Sequence, residues 1–286
     1  MIVHIKDLVS LSRQKQFTLG AFNLHNLETA VGIVQAGVNK RAPLILQMSE
    51  GTIRYLGLQT LTSALFALAD ELGGDIPFAL HLDHGKDEDL IKQCIAAGFS
   101  SVHIDRSDLP LVENIKITKR VVDFAHSQGA WVQGEVGRLL GGHGEQGSLP
   151  DEVPLADPDE VRQFVEETGV DTIAAAVGTA HGIFTNEKIN IDLIKQIKAV
   201  IADRPLVLHG ASGTKESDLQ SALQAGVNIV NVGSDIKYAF TSTVIKTALN
   251  NQSETDPRKL LKPAITAVTS VVEKKLELFG AVGKVD

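Results

Sequence analysis

Short uninterrupted apolar runs recur along the chain, separated by longer segments whose apolar positions fall three and four residues apart. The runs are Leu19 to Asn23, Pro43 to Met48, Pro77 to Leu82, Ser101 to Asp105, Ala130 to Glu135, Thr172 to Val177, Pro205 to Leu208 and Val227 to Val232. They are short, lack a helical period and are bounded by turn residues, the pattern of strands buried on both faces of a parallel sheet. The segments between them read as helices with their own start and stop signals. Asp87 to Ala97 puts Leu90, Ile91, Cys94 and Ile95 on one face and stops at Gly98. Asp157-Pro158-Asp159-Glu160 reads as an N-cap, a proline at the first helical position and a capping-box acid. Val161, Phe164 and Val165 follow on the buried face, and Gly169 ends that helix. Eight strand-then-helix units without a break in composition predict a single domain over residues 1–286, an α/β chain folded as a (β/α)8 barrel. An open doubly wound sheet would show fewer strands and a Gly-x-Gly-x-x-Gly turn after the first; here the first strand runs into Phe22-Asn23-Leu24-His25-Asn26.

Three of the runs end alike. Pro77 to Leu82 leads into Asp83-His84-Gly85, Thr172 to Val177 into Gly178-Thr179-Ala180-His181-Gly182, and Pro205 to Leu208 into His209-Gly210. A glycine after each histidine lets the chain turn tightly and lets a ligand approach the backbone. In a barrel the carboxyl ends of all strands share one mouth, so histidines far apart in sequence can converge there. Three imidazoles with an open fourth position form a catalytic zinc geometry. A lone histidine beside a strand reads more simply as a hydrogen-bonded core or rim residue, and the repeated setting is what favours the metal. The same rule gathers Asn23, Ser49, Asp83, Asp105, Glu135, Asn231 and Ser234 at the mouth.

Two glycine-bearing loops follow the last two strands, Gly210-Ala211-Ser212-Gly213 and Asn231-Val232-Gly233-Ser234. Either alone is an ordinary turn; as a pair at the seventh and eighth strands they predict a phosphate site of backbone N–H groups and hydroxyls. The longest spacing lies between the fifth and sixth strands. It holds Gly137, Gly141, Gly142, Gly144 and Gly147, together with Arg138, His143 and Glu145. A disordered surface loop is the plain reading, while its place at the mouth favours a mobile lid carrying a catalytic side chain.

Composition narrows the partners. With 35 acidic and 27 basic side chains the formal charge is -8, and no Lys/Arg-rich run offers a site for nucleic acid or an anionic membrane. A small anionic substrate therefore needs a local basic or backbone N–H site. Cys94 is the only cysteine, so no internal disulfide can form, which suits a reducing compartment. The chain starts without a signal-like segment and has no apolar run of 18 residues, so the expected location is cytoplasmic.

With these residues in place the chain resembles the class II, metal-dependent ketose-bisphosphate aldolases, the group that includes fructose- and tagatose-1,6-bisphosphate aldolases. The matching stretches are Ala21-Phe22-Asn23, Ser49-Glu50-Gly51, Leu82-Asp83-His84-Gly85, Ile104-Asp105, Glu113-Asn114-Ile115, Thr168-Gly169-Val170-Asp171, Gly178 to Gly182, Leu208 to Gly213 and Asp256-Pro257-Arg258. They span nearly the whole length, and the later ones look most similar to the tagatose-type branch. The resemblance implies that His84, His181 and His209 bind a catalytic Zn2+, and it leaves room for a monovalent cation. It implies that Asp83 moves the proton of the aldol hydroxyl, and that Asp105 and Glu135 match acids of a second or displaced metal position. Gly182, Gly210, Ala211, Ser212, Asn231, Val232, Gly233 and Ser234 would hold dihydroxyacetone phosphate, with Asn23, Ser49 and Arg258 as further substrate contacts. Glu145 is the candidate for the acid that protonates the enediolate carbon. The expected partner is a small phosphorylated sugar, and the expected assembly a homodimer or homotetramer, with a companion barrel subunit as a further expectation in some systems.

Four departures mark this chain. The family's usual Met-Ile-Asp-Gly-Ser after the fourth strand is His103-Ile104-Asp105-Arg106-Ser107 here. Arg106 thus brings a forked cation to the mouth, as a salt-bridge partner for Asp108 or Glu135 or as a substrate contact on the aldehyde side. The segment after Gly137 is one residue longer than usual, Ile229 replaces a common lysine, and Gly233 stands where fructose-type members often carry Asp or Asn. The leading function is a zinc aldolase releasing dihydroxyacetone phosphate from a ketose phosphate such as tagatose or fructose 1,6-bisphosphate, or from a non-standard one. The rivals are a non-catalytic barrel subunit supporting an aldolase partner and a zinc barrel hydrolase with Asp83 as its base.

Overall fold

The computed structural model describes residues 1–286 apart from Asp151, Thr185 and Asp286, and apart from the side chains at 142–144. His143, one of the polar residues expected on the lid, thus has its side chain outside the described residues.

The eight expected strands form a closed barrel in which every neighbouring pair is parallel. They are β1 (Leu19–Asn23), β2 (Leu44–Ser49), β3 (Phe78–Gly85), β4 (Ser101–Ile104), β5 (Trp131–Val136), β7 (Thr172–Ala175), β9 (Leu206–Leu208) and β10 (Val227–Val232). Two further strands, β6 (Leu140–Gly147) and β8 (Ala180–Phe184), pair with each other outside the barrel.

Alternation along the strands decides what each face meets. Leu44, Leu46 and Met48 of β2, Phe78, Leu80 and Leu82 of β3, and Val102 and Ile104 of β4 join the main apolar core. The opposite residues point inward. Ala21, Ile45, Ala79, Ala174, Val207 and Ile229 fill the lower barrel and are closed from below by Ile5, Leu8 and Val9 of α1 (Ile5–Lys15). One pleat higher the interior turns polar: Asn23, Gln47, His81, Asp83, Ser101, His103, Gln133 and Glu135 are all buried. Burying polar groups costs free energy unless they bond to one another, so this upper layer is where chemistry is to be sought.

The helices follow their sequence signals closely. Asp87 caps α5 (Glu88–Ala96) by accepting from the N–H groups of Asp89 and Leu90. Asp157 caps α7 (Pro158–Thr168) by accepting from Asp159 N–H, and Gly169 ends that helix in the left-handed region. Boundaries shift by a residue or two at several strands. The largest change is at β3, which continues through Asp83 and His84 to Gly85 instead of ending at Leu82.

The glycine-rich segment corrects the expectation of a loop. Residues 140–147 form a strand whose Leu140 and Gly141 lie opposite Ala180 and His181, and whose Gln146 and Gly147 lie opposite Ile183 and Phe184 after a register shift. The close approach explains the glycine: a Cβ on Gly141 would stand 2.3 Å from the His181 carbonyl oxygen. Leu149, Ala180 and Phe184, with Leu140 and Val153 against them, give this small sheet its own apolar cluster.

Candidate active site

Asp83 and His84 are consecutive, and in a regular strand they would face opposite ways. The pairing of β3 with β4 slips between Leu82 and Gly85, and His84 adopts φ of 48°, a left-handed conformation that a non-glycine residue rarely takes. This bulge turns both side chains to the barrel mouth. The His84 N–H is accepted by His103 Nδ1 at 3.3 Å. Strain of this kind is commonly held at functional sites by the surrounding structure.

The three expected histidines come together. Ring centroids of His84 and His209 are 4.7 Å apart, His84 and His181 4.6 Å, and His181 and His209 5.8 Å. Between His84 Nε2 and His209 Nδ1 the distance is 3.0 Å. Two nitrogens on one tetrahedral zinc would lie ~3.4 Å apart, so a shift of a few tenths of an ångström accommodates a shared ion. Asp83, His84, His103 and His209 offer ligand atoms within 4.8 Å of one another. This buried, nitrogen-rich donor set fits zinc. His181 reaches the mouth from β8, and its position follows from a close approach: a Cβ on Gly210 would stand 2.4 Å from the Ala180 carbonyl oxygen.

A second layer of carboxylates lies behind His84. Asp105 Oδ2 is 2.7 Å from His84 Nδ1, while Asp105 Oδ1 accepts from Ser107 N–H and Oγ–H. Asp105 therefore orients the imidazole, the usual partner of a metal-ligating histidine. His84, His103, Asp105 and Glu135 form a second set with ligand atoms within 4.8 Å. Within it Glu135 Oε2 and His103 Nε2 have no hydrogen-bond partner among the described residues and lie 3.5 Å apart.

Burial and charge set the protonation states. Burial works to lower the His84 pKa, but Asp83, the Asp105 hydrogen bond and Glu135 outweigh it and raise it to about 10. Burial, and then the charge of His84, lower His103 to about 3 and hold His209 well below its ordinary value. Burial opposes ionisation of Asp105, yet the His84 hydrogen bond and the neighbouring rings keep its carboxyl well below the usual range. Glu135 is pushed up to about 8, by burial first and then by Asp105.

Asp83 is 1% exposed. Asn23 Nδ2 donates to its Oδ2 at 2.8 Å, Asn231 Nδ2 to its Oδ1 at 3.4 Å, and Gln47 Nε2 holds Asn23 Oδ1 at 2.8 Å. Gln133 Nε2 is 2.8 Å from His209 Nε2. Gln47 and Gln133 escaped the reading of strand ends, although each lies two residues before an expected mouth residue, Ser49 and Glu135. Period two marks them.

Asp83, Asn23, His181, Gly182, His209, Gly210, Ser212, Asn231, Gly233 and Ser234 line one cavity, which brings together the acid, two of the histidines and both phosphate-type loops. Ala211 and Val232 are buried behind those loops. Ser49 stands at the edge as the cap of α3 (Glu50–Leu56), accepting from Thr52 N–H. Glu145 is exposed on β6 and lines the neighbouring cavity with Ser234. Its backbone carbonyl crosses over Gly182. Two expected contacts are placed elsewhere. Arg258 pairs with Asp256 at the start of α11 (Pro257–Leu278), its side chain 89% exposed. Arg106 makes neither proposed salt bridge: its Nη2 donates to the Lys86 carbonyl at 2.7 Å and so ties down the turn after His84, while Lys86 itself lies 3.8 Å from Asp108.

Comparison with known proteins points to one family. The family described as fructose-bisphosphate aldolase class-II matches residues 3–284. A fructose-bisphosphate aldolase of Staphylococcus epidermidis is 38% identical over 281 residues, 98% of this chain and 97% of the relative. One from Staphylococcus aureus is 37% identical over 282 residues, with the same coverage. Among solved structures, the YdjI aldolase of Escherichia coli K12 superposes with a TM-score of 0.84 at 26% identity over the full length of both chains. A fructose-bisphosphate aldolase of Campylobacter jejuni shares the fold, with a TM-score of 0.84 at 21% identity, covering 99% of this chain and 97% of its own. No described helix is long and apolar enough to cross a membrane. The barrel, the converging histidines and the full-length match agree: this chain belongs to the class-II fructose-bisphosphate aldolase family and is a lyase.

Proposed function

We propose that this protein reversibly cleaves fructose 1,6-bisphosphate to dihydroxyacetone phosphate and glyceraldehyde 3-phosphate, using zinc held by His84, His181 and His209. The observation that carries the reading is Asp83, a buried carboxylate held by two amides in a cavity it shares with His181 and His209. The choice of fructose over its epimer tagatose rests on the relatives' names, whereas Gly233 and the later motifs weigh toward tagatose.

Cleavage begins when Asp83 takes the proton of the C4 hydroxyl. The C3–C4 bond breaks, C4 becomes the aldehyde carbonyl and the electron pair stays on C3 beside the ketone. Bound zinc would act as a Lewis acid that stabilises this charge. Asn23 and Asn231 hold the Asp83 carboxylate in place, so little reorganisation is needed as the proton arrives. Glu145, exposed at the edge beside Gly182, is the proposed donor of the proton that C3 then receives.

The experiment measures dihydroxyacetone phosphate release from fructose and tagatose 1,6-bisphosphate, with and without chelator, for wild type and Asp83→Ala. Wild-type activity should disappear with chelator. Asp83→Ala should keep its zinc and lose roughly 10² to 10⁴ in kcat, the usual range for a positioned proton-transfer group. Full activity in Asp83→Ala, or activity indifferent to metal removal, would overturn the reading.

A further inference from the structure

A substrate carrying phosphate has to find compensating charge in a chain whose formal charge is -8. Among the described residues, no lysine or arginine lines the catalytic cavity. Ser234 also lines a second cavity of about 340 Å³, which lies between the outer pair of strands and the helix that Ser234 begins, α10 (Ser234–Asn250). Glu145, Ile183, Lys237 and Tyr238 are among its other walls. Among the described residues, Lys237 is the only Lys or Arg lining either cavity.

We propose that Lys237 is a specificity-determining residue that recognises the phosphate on the dihydroxyacetone half of the substrate. The inference rests on the reaction assigned above and concerns a residue outside the acid, the histidines and the two phosphate-type loops.

Three features support it. The Lys237 side chain is half-buried and makes no hydrogen bond or ion pair with another described residue; only its backbone is engaged, the carbonyl accepting from Thr241 Oγ–H. Its surroundings are desolvating enough to lower its pKa below the ordinary lysine value, with Asp83 the only charge that opposes the shift. A lysine held partly out of water without a partner carries a desolvation penalty that an anion would offset.

The helix start is also prepared for an anion. Gly233 gives α10 no side-chain cap, and the buried hydroxyls of Ser212 and Ser234 stand beside it. Ser212 Oγ already accepts from Asp235 N–H at 3.2 Å. Asp235, the one acid in that first turn, is neutralised by Lys275 at 2.9 Å. An anion near Ser234 therefore meets the positive end of a helix whose own cap residue supplies no acceptor, a cancelled acid and one uncommitted cation. Arg106 and Arg258 do not compete for the role, being committed to the Lys86 carbonyl and to Asp256.

The test uses the zinc-loaded enzyme as wild type, Lys237→Met and Lys237→Gln. Dihydroxyacetone phosphate and inorganic phosphate are titrated by calorimetry, and KM and kcat are measured for fructose 1,6-bisphosphate. Loss of one charge-assisted contact predicts an increase of about 10- to 150-fold in KM and in the dissociation constant for dihydroxyacetone phosphate, with kcat within about threefold of wild type. Lys237→Gln keeps a polar side chain of similar reach, so loss in both variants assigns the effect to charge and not to packing. Unchanged dihydroxyacetone phosphate binding in either folded variant, or a fall in kcat with binding intact, would overturn the inference. Failure of the wild type to cleave any ketose bisphosphate would instead overturn the reaction, because the dihydroxyacetone phosphate titrations judge Lys237 separately.

Discussion

His103 accepts the backbone N–H that the bulge at His84 withdraws from strand pairing, and its ring packs 4.7 Å from that of His84. With Nδ1 accepting, the neutral ring carries its proton on Nε2 and turns it toward Glu135 Oε2. The histidine that departs from the family's usual methionine is thus a support for the bulge and, through it, for a metal ligand. His103→Leu should leave the His84 N–H buried without an acceptor. The expected cost is about 1 to 3 kcal/mol of stability, together with roughly 10- to 100-fold weaker zinc binding, the range for a lost outer-shell partner. Thermal melts and competition against a zinc chelator measure the two; unaltered zinc affinity would reduce His103 to a packing residue. Period two in the sequence sets His103 on the same face as Asp105, and both side chains are buried. Arg106 was less legible, because its partner is a backbone carbonyl, and no residue type announces a carbonyl that happens to point the right way.

Among the elements, the eight barrel strands were legible because burial on both faces writes a continuous apolar run. The pair β6 and β8 was not, since its glycines and polar residues carry neither a continuous run nor a clean alternation. What makes it a sheet is pairing between segments far apart in sequence, which local pattern does not encode. Glu187 fastens this sheet to the barrel mouth. Its Oε1 accepts from Ala180 N–H at 2.6 Å, and its Oε2 accepts from Thr214 Oγ–H at 2.9 Å. It thereby joins the strand carrying His181 to the loop after β9. Glu187→Ala should remove both bonds at a cost of about 1 to 3 kcal/mol and speed hydrogen exchange at the Ala180 amide. It should also weaken zinc binding through His181, while leaving the exchange of β2 and β3 amides unaltered. An effect spread evenly over the barrel would show that Glu187 supports the whole fold and not this strap.

For the whole molecule, folding, protonation and metal binding meet at His84. In the metal-free protein its pKa stands at about 10, against an ordinary value near 6.5 for an unfolded histidine. A pKa raised by folding contributes stability that is fully present below about 6.5 and is lost as pH rises through about 10. Zinc needs the same ring deprotonated, so between those limits each bound ion must expel a proton from His84. His209, held neutral by burial, imposes no such competition. Two consequences follow with opposite signs. Raising the pH from 6.5 to 8.5 should lower the stability contributed by the His84 proton in the metal-free protein and tighten apparent zinc binding by about tenfold per unit. The stabilisation conferred by a fixed free zinc concentration grows as the dissociation constant falls, so the zinc-induced rise in Tm should widen with pH. Melting curves at three pH values with buffered zinc test the trend. Indicator measurements at pH 7.5 should record close to one proton released from His84 per zinc bound. Zinc binding that is independent of pH and releases no proton would mean that His84 is neutral before the metal arrives, and that Asp105 and Asp83 hold it by geometry rather than by charge.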